Sequence, residues 1–269
     1  MRIAPDGVWR ASRTPTGPAT TRLTVRGATV TAHAWGPGAE WALEAMPALV
    51  GAADSLDGFD PRDPVVADLH RRLPGLRIGR SAAVVEALVP SILEQKVVGV
   101  EARRSYARLV RTLSEVAPGP GALLVPPSPA ALATTPAWAF HRFGIEGKRA
   151  DTIRVACSYA HRLEETTEMS LADAYLRLTA LPGVGPWTAA EVALVALGDA
   201  DAVSVGDYHL PNQVAWALAG EVRADDARML ELLEPYRGHR GRVIRLVSLG
   251  ATRPPRFGPR MALQHIAEW

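Results

Sequence analysis

The alternation of apolar and polar positions divides the chain unevenly. Val8 to Trp35 reads as short strands: Arg22-Leu-Thr-Val25 and Ala28-Thr-Val-Thr-Ala-His-Ala34 alternate small or apolar with polar residues across Arg26-Gly27. Gly36-Pro-Gly38 breaks that pattern, and Glu40 to Val50 suits a short helix. After a turn-rich stretch from Ser55 to Pro64 the periodicity becomes helical. Helices are predicted for Pro64 to Leu73, for Ala82 to Leu93 with a second running through Leu113, within Ala130 to Phe143, and for Asp151 to Leu163. Pro118 to Pro129 is rich in Pro and Gly and reads as an exposed loop. The expectation is a mainly α chain: a small N-terminal α+β piece with an antiparallel sheet over residues 1–60, then a helical region over residues 61–269. No internal repeat or low-complexity segment stands out.

The sharpest local pattern is Leu181-Pro-Gly-Val-Gly-Pro-Trp-Thr188. Ser170 with Asp173 opens a helix in capping-box spacing, and Leu171, Ala174, Tyr175 and Leu178 give it one apolar face. Pro182-Gly183 stops it, and Gly185-Pro186 starts the next, Trp187 to about Leu197, closed at Gly198. Glu191 is the one charge on that second helix, which should be buried on most sides. Glycines at 183 and 185 around Val184 let the backbone approach a partner and point amides at it, the makings of a phosphate site. An ordinary tight turn is the plain alternative. Val203-Ser-Val-Gly-Asp-Tyr-His-Leu210 follows and delivers Asp207, after a glycine and before a helix from Pro211 to Leu218 capped by Gly220. Asp225 to Glu234 is a further helix, and Pro235-Tyr-Arg237 opens the last.

Composition changes this picture little, whereas its distribution matters. The 30 basic and 28 acidic residues nearly cancel, so net charge alone predicts no nucleic-acid partner. From Pro235 to Ala267, however, there is no Asp or Glu, while Arg237, Arg240, Arg242, Arg245, Arg253, Arg256 and Arg260 accumulate. Such a local excess attracts phosphates, and a solvated tail is its bland counterpart. Arg104, Arg108 and Arg111 share one helical face, for which a solvated stripe is the commoner explanation. Cys157 is the only cysteine, which excludes internal disulfides and cysteine-rich metal clusters. No run spans a membrane and no signal-peptide layout is seen, so a cytoplasmic protein is expected.

The hairpin, with an Asp about twenty residues on, resembles the helix-hairpin-helix DNA glycosylase superfamily, and within it the bacterial inducible 3-methyladenine DNA glycosylases. Asp63 to Leu249 carries the resemblance. It implies a core of two helical subdomains, duplex DNA as partner, a monomer, and no organic cofactor. It also implies a monovalent cation, Na+ or K+, held by the backbone carbonyls of Thr179, Leu181 and Val184. Asp207 would be the catalytic acid, and Gly183, Val184 and Gly185 would grip a phosphate. Ala87-Leu-Val-Pro-Ser-Ile-Leu-Glu-Gln-Lys-Val97 is similar to the helix pair whose turn enters the gap left by a displaced base. Gln95 fits that pattern; Lys96 departs from it and makes a poorer apolar wedge, though it could fill the gap or hold a phosphate, with a solvated turn lysine as the plain alternative. Phe143 to Ile153 is similar to a link into a helix that begins with Lys148-Arg149.

The chemistry suits one acid. Breaking the bond between base and deoxyribose builds positive charge on the sugar, which a nearby carboxylate stabilises while it orients water. The plain alternative for Asp207 is an N-cap. The base must leave the stack, so a stacking surface is required, and Trp187 with Tyr208 would line the pocket. Glu191, one turn beyond Trp187, would line it too and favour a cationic base; a solvent-facing Glu is the alternative. Relatives that also cut the backbone place a lysine where Trp187 stands, so a monofunctional enzyme is expected. The last helix departs from the pattern: it is unusually basic, with Arg237, Arg240 and Arg242 as expected DNA contacts, and lacks an aromatic expected for the pocket. The resulting expectation is a monofunctional glycosylase of base excision repair acting on alkylated purines. A non-catalytic damage sensor, or a glycosylase for oxidised or deaminated bases, stays open beside it.

Overall fold

The computed structural model describes residues 1–255; Arg256 and Arg260 of the basic stretch lie outside the described residues. The N-terminal strands β1 (Arg2–Ala4), β2 (Gly7–Thr14), β3 (Gly17–Arg26) and β4 (Thr29–Trp35) form an antiparallel meander in chain order. Ala11 faces Thr20 and Thr20 faces Trp35, so Trp9, Ala11, Thr20 and Trp35 share one face of the sheet, with the Trp9 and Trp35 rings stacked at 5.6 Å. Two short helices, α1 (Ala39–Glu44) and α2 (Met46–Leu49), follow where one was expected.

The sheet rests on a stretch read from the sequence as an exposed loop. Ala117 and Val125 are buried against Ala11, a bridge pairs Val116 with Leu124, and Gly119 lies against the Trp35 ring. Glycines and prolines there permit close packing on a flat aromatic surface, so their composition signalled contact rather than solvent. Glu86 then fastens the sheet to the helical body by accepting from the Arg10 guanidinium at 3.0 Å and the Arg13 amide at 2.7 Å.

The helical body has two cores. The first is built by α4 (Val84–Glu94), α5 (Gly99–Leu113), α6 (Pro129–Thr134), a 3-10 turn (Ala137–Phe143), α7 (Gly147–Ser158), α8 (Ala160–Glu164), α9 (Leu171–Thr179) and α10 (Pro186–Val192). Leu88, Ile92, Leu109, Phe140, Ile153 and Leu178 are its fully buried side chains, with Phe140 and Phe143 edge to face at 6.2 Å. The second core gathers α3 (Pro64–Arg72), α11 (Leu210–Ala219), α12 (Asp226–Leu233) and α13 (Arg240–Gly250) around Val66, Leu69, Val214, Met229 and Val247. The fold is therefore mainly α with a small N-terminal α+β piece, as the sequence pattern predicted, and its helical part has the two subdomains that the resemblance implied.

Local signals explain most boundaries. Asp63 caps α3 by accepting the Val65 amide, Ser128 caps α6, Ser170 caps α9 and Asp225 caps α12. Gly198 and Gly220 close their helices in the left-handed region, at φ +72° and +68°. The expected helix from Trp187 to Leu197 ends as a π turn over Ala193–Leu197. Among the described residues no helix is long and apolar enough to cross a membrane.

The last helix starts later than expected. Glu234–Tyr236 is a 3-10 turn, Gly238 takes φ +91°, and α13 opens only at Arg240. Asp201 causes the delay: it accepts the Gly238 and Arg240 amides at 2.8 and 3.0 Å and the Arg240 guanidinium at 2.9 and 2.5 Å. The start of α13 is thereby pinned to the segment that joins the two cores.

Candidate active site and nucleic-acid interface

The hairpin joins α9 to α10 through Leu181 to Gly185. Gly183 sits at φ +85°, and a Cβ there would come within 2.4 Å of Thr152 Oγ1 on α7. Both the backbone shape and the close approach thus require glycine. Gly183→Ala should cost about 1–3 kcal/mol of stability from strain alone, read as a lowered Tm, and should weaken duplex binding more than it weakens the fold.

Val184 is buried and its amide donates to the Leu181 carbonyl at 3.0 Å, so it is spent inside the turn. The amides expected to meet a phosphate reduce to those of Gly183 and Gly185, which find no acceptor among the described residues. Behind Gly185 the first-turn amides of α10 are free in the ordinary way of helix starts. The Leu181 carbonyl accepts one hydrogen bond, while those of Thr179 and Val184 accept none from the backbone among the described residues. Three hard oxygens with spare lone pairs suit a monovalent cation.

Two side chains that the sequence did not explain hold the hairpin to the turn after α4. Gln95 Nε2 donates to the Gly183 carbonyl at 2.9 Å and to Thr188 Oγ1 at 2.8 Å. Gln95 was expected to reach into the duplex; here it turns inward and braces the hairpin. Beneath it, buried Arg149 donates to the Leu93 and Gln95 carbonyls at 3.4 and 3.2 Å. A basic residue at a helix start was visible in the sequence, its burial was not. Lys96 stands exposed at the tip of the turn with φ +54°, an unusual conformation for a side chain with a Cβ.

Asp207 lies where the two cores meet, half-buried, with Gly206 at φ +91° turning the chain ahead of it. Its Oδ1 accepts the amides of His209 and Leu210 at 2.7 and 2.8 Å, the first turn of α11. Its Oδ2 accepts the indole N–H of Trp187 at 3.1 Å. The carboxylate is therefore both a helix cap and the partner of the aromatic that begins α10. Three donors fix its orientation, and Oδ2 accepts only one of them.

Glu191 lies one turn further along α10 and accepts the hydroxyl of buried Ser204. Burial pushes its carboxyl above the usual glutamate range; the Ser204 bond and Arg245 oppose this, whereas Glu94 and Asp207 add to it. Glu94 on α4 and Asp207 before α11 thus act electrostatically on Glu191, so the surroundings of Trp187 on α10 are electronegative. Tyr208 is not enclosed there. It is 82% exposed, with its ring edge against His209 at 4.9 Å.

The basic residues expected to meet DNA need two corrections. Arg242 is only 1% exposed: it pairs with Asp54 at 2.5 and 2.8 Å, donates to the Ser55 carbonyl and lies over Phe59. It is a core residue, because α13 turns that face toward the second core. Arg240 is held by Asp201 in the bidentate pair described above, and its charge is neutralised there. Burial alone would raise the Asp201 carboxyl, but the Arg240 bonds outweigh it and hold it below the usual aspartate range. Arg237 is exposed, bonded to Glu234. Arg245, one turn beyond Arg242, is the arginine of α13 near enough to act electrostatically on Glu191.

No family model matches the chain, and no curated protein does. Solved structures do. The 3-methyladenine DNA glycosylase from Archaeoglobus fulgidus superposes with a TM-score of 0.72 at 20% identity, over 89% of this chain and 85% of that one. An 8-oxoguanine glycosylase/lyase from Clostridium acetobutylicum, in complex with double-stranded DNA, gives 0.68 at 16% identity over 89% and 85%. A DNA-3-methyladenine glycosidase from Bacillus halodurans gives 0.51 at 22% identity over 71% and 90%. The chain has the fold of these helix-hairpin-helix DNA glycosylases, which is the fold the hairpin resemblance implied.

Proposed function

We propose that the chain is a DNA glycosylase of base excision repair that hydrolyses the N-glycosidic bond of a damaged base in duplex DNA, with Asp207 as its catalytic acid. One observation carries this reading: a half-buried carboxylate, oriented by the Trp187 indole and two helix-start amides, beside a hairpin whose free amides suit a phosphate. A displaced nucleotide would place its sugar at Oδ2 of Asp207. As the base departs, the ionised carboxylate stabilises the positive sugar and orients the attacking water. The three bonds to Asp207 are made before reaction, so no reorganisation is required at the barrier. The carbonyls of Thr179, Leu181 and Val184 would hold a monovalent cation, which when bound adds positive charge behind the gripped phosphate.

Trp187 occupies the place where a lyase would carry a nucleophilic lysine, so the reading is monofunctional. Electronegative surroundings next to a flat indole favour electron-poor, cationic purines, which points to alkylated bases. The protein is expected to act as a monomer. The decisive experiment is a set of duplexes, each with a single alkylated, oxidised or deaminated base, incubated with the protein and analysed with and without alkali. Strand cleavage at alkylated purines only after alkali is the expected result. Cleavage without alkali would reject the monofunctional assignment, and no product from any lesion would reject the enzyme.

A second reading has one observation behind it. Both oxygens of Asp207 are already engaged, as they would be in a purely structural cap of a non-catalytic damage sensor. The same experiment separates the two.

Glu191 gives a pH-dependent prediction. Its carboxyl titrates above the usual glutamate value, so the charge that attracts a cationic base develops as pH rises through that elevated point. The ratio of excision rates for 7-methylguanine over neutral hypoxanthine should therefore climb with pH in the wild type. Glu191→Gln should flatten the climb and lower the ratio roughly tenfold, about 1.4 kcal/mol. A raised carboxyl pKa also means that ionisation above it destabilises the fold, so Tm near neutral pH should not drop in this variant. An unchanged ratio removes Glu191 from the pocket.

A further inference from the structure

The face of α5 that points away from the first core carries Val100, Arg103, Arg104, Ala107, Arg108 and Arg111, which together line an open groove. These positions repeat at helical spacing, so four guanidinium groups lie along one stripe. Glu101, in the first turn, is the one acid on the helix. Several arginines elsewhere are matched: Arg13 with Glu115, Arg154 with Asp151, Arg177 with Glu165, Arg228 with Glu221, and Arg237 with Glu234. Arg104, Arg108 and Arg111 enter no such ion pair among the described residues. Like charges at this spacing oppose the helix that carries them, so a stripe left uncompensated calls for an anionic partner.

Its position says which one. Glu94 lies close enough to feel the Arg103 charge, and the Arg103 guanidinium folds over Gly99, the first residue of α5. That end of the stripe adjoins the turn that Gln95 ties to the hairpin. From there the groove runs along α5 for roughly 16 Å at 1.5 Å per residue, a length beside which one DNA strand presents up to about five phosphates. We infer that Arg104, Arg108 and Arg111 bind the phosphodiester backbone of the duplex flanking the lesion, extending the DNA contact from the hairpin along α5. The inference rests on duplex DNA being the substrate, as proposed above, but not on any excision taking place.

The test compares the wild-type chain with the triple variant Arg104→Gln, Arg108→Gln, Arg111→Gln and with its charge-retaining Lys counterpart. Fluorescence anisotropy is read against salt for two duplexes with a tetrahydrofuran abasic site, one ending near the site and one extending several turns past it. At about 0.9 per phosphate contact, the Gln variant should lose roughly 2 to 3 from the slope of log affinity against log salt. The loss should be confined to the long duplex. The Lys variant should restore most of the slope, since a point charge suffices for a phosphate. Excision at saturating protein should be unchanged in all three. A wild-type slope in the Gln variant on the long duplex overturns the inference, and would do so equally if the stripe held an acidic protein. Should the slope fall while the wild type excises no lesion, the stripe stands and the glycosylase reading fails.

Discussion

Asp207→Asn should reduce single-turnover base excision by roughly 100- to 1000-fold, the loss expected when one preorganised group is removed from a developing charge, while duplex affinity should stay within a few-fold of wild type. Asparagine keeps an oxygen for the His209 and Leu210 amides, so the start of α11 survives. It replaces the ionised Oδ2 by an amide nitrogen, which accepts nothing from the Trp187 indole and carries no charge to offset the sugar. Asp207→Ala would add the loss of the cap, about 1 kcal/mol, and so confuses catalysis with stability. The Asn variant separates them: unchanged Tm with lost excision supports catalysis, and retained excision makes Asp207 a cap alone.

The second large effect is on stability and falls where the sequence suggested DNA binding. Arg242→Met should destabilise the fold by about 3–5 kcal/mol, since it leaves Asp54 buried without its counter-charge. For a chain of this size that corresponds to a Tm lower by on the order of 10 °C. A double change to Asp54→Asn and Arg242→Met should recover part of the loss, because no charge is then stranded. Neither variant should alter the salt slope of DNA binding. The pair also sets an acid limit. Burial would raise the Asp54 carboxyl, but its hydrogen bonds from Arg242 and the Ile78 amide outweigh this and hold it below the usual aspartate range. A depressed carboxylate contributes stability that is complete above the unfolded value and lost as pH falls through the folded one. Below that limit the wild type should weaken steeply, and the double variant less so.

The sequence made some of this legible and hid the rest for definite reasons. Hairpin, helix caps and Asp207 were readable because Gly, Pro, Ser and Asp act on their own neighbours within a few residues. Arg242 was misread because its partner is 188 residues away, and arginines at 240, 242 and 245 look alike until the helix is oriented. Gln95 was placed in the duplex by resemblance; its bonds to Gly183 and Thr188 depend on how two distant turns meet. The Pro118 to Pro129 segment was taken for solvent because prolines and glycines also permit flat packing against tryptophan. Period and capping therefore pointed to the candidate site, while the direction of its long polar side chains came only with tertiary structure.

Central to the account is a negative charge held ready for a positive sugar. Equilibrium binding of two duplexes tests it most directly: one with a neutral tetrahydrofuran abasic site, the other with a cationic pyrrolidine in its place, each measured with wild type and Asp207→Asn. Tighter binding of the pyrrolidine by wild type, by about 100-fold or more as for a transition-state mimic, and equal binding of both by the variant, is the predicted result. Equal affinity of wild type for the two duplexes would contradict it.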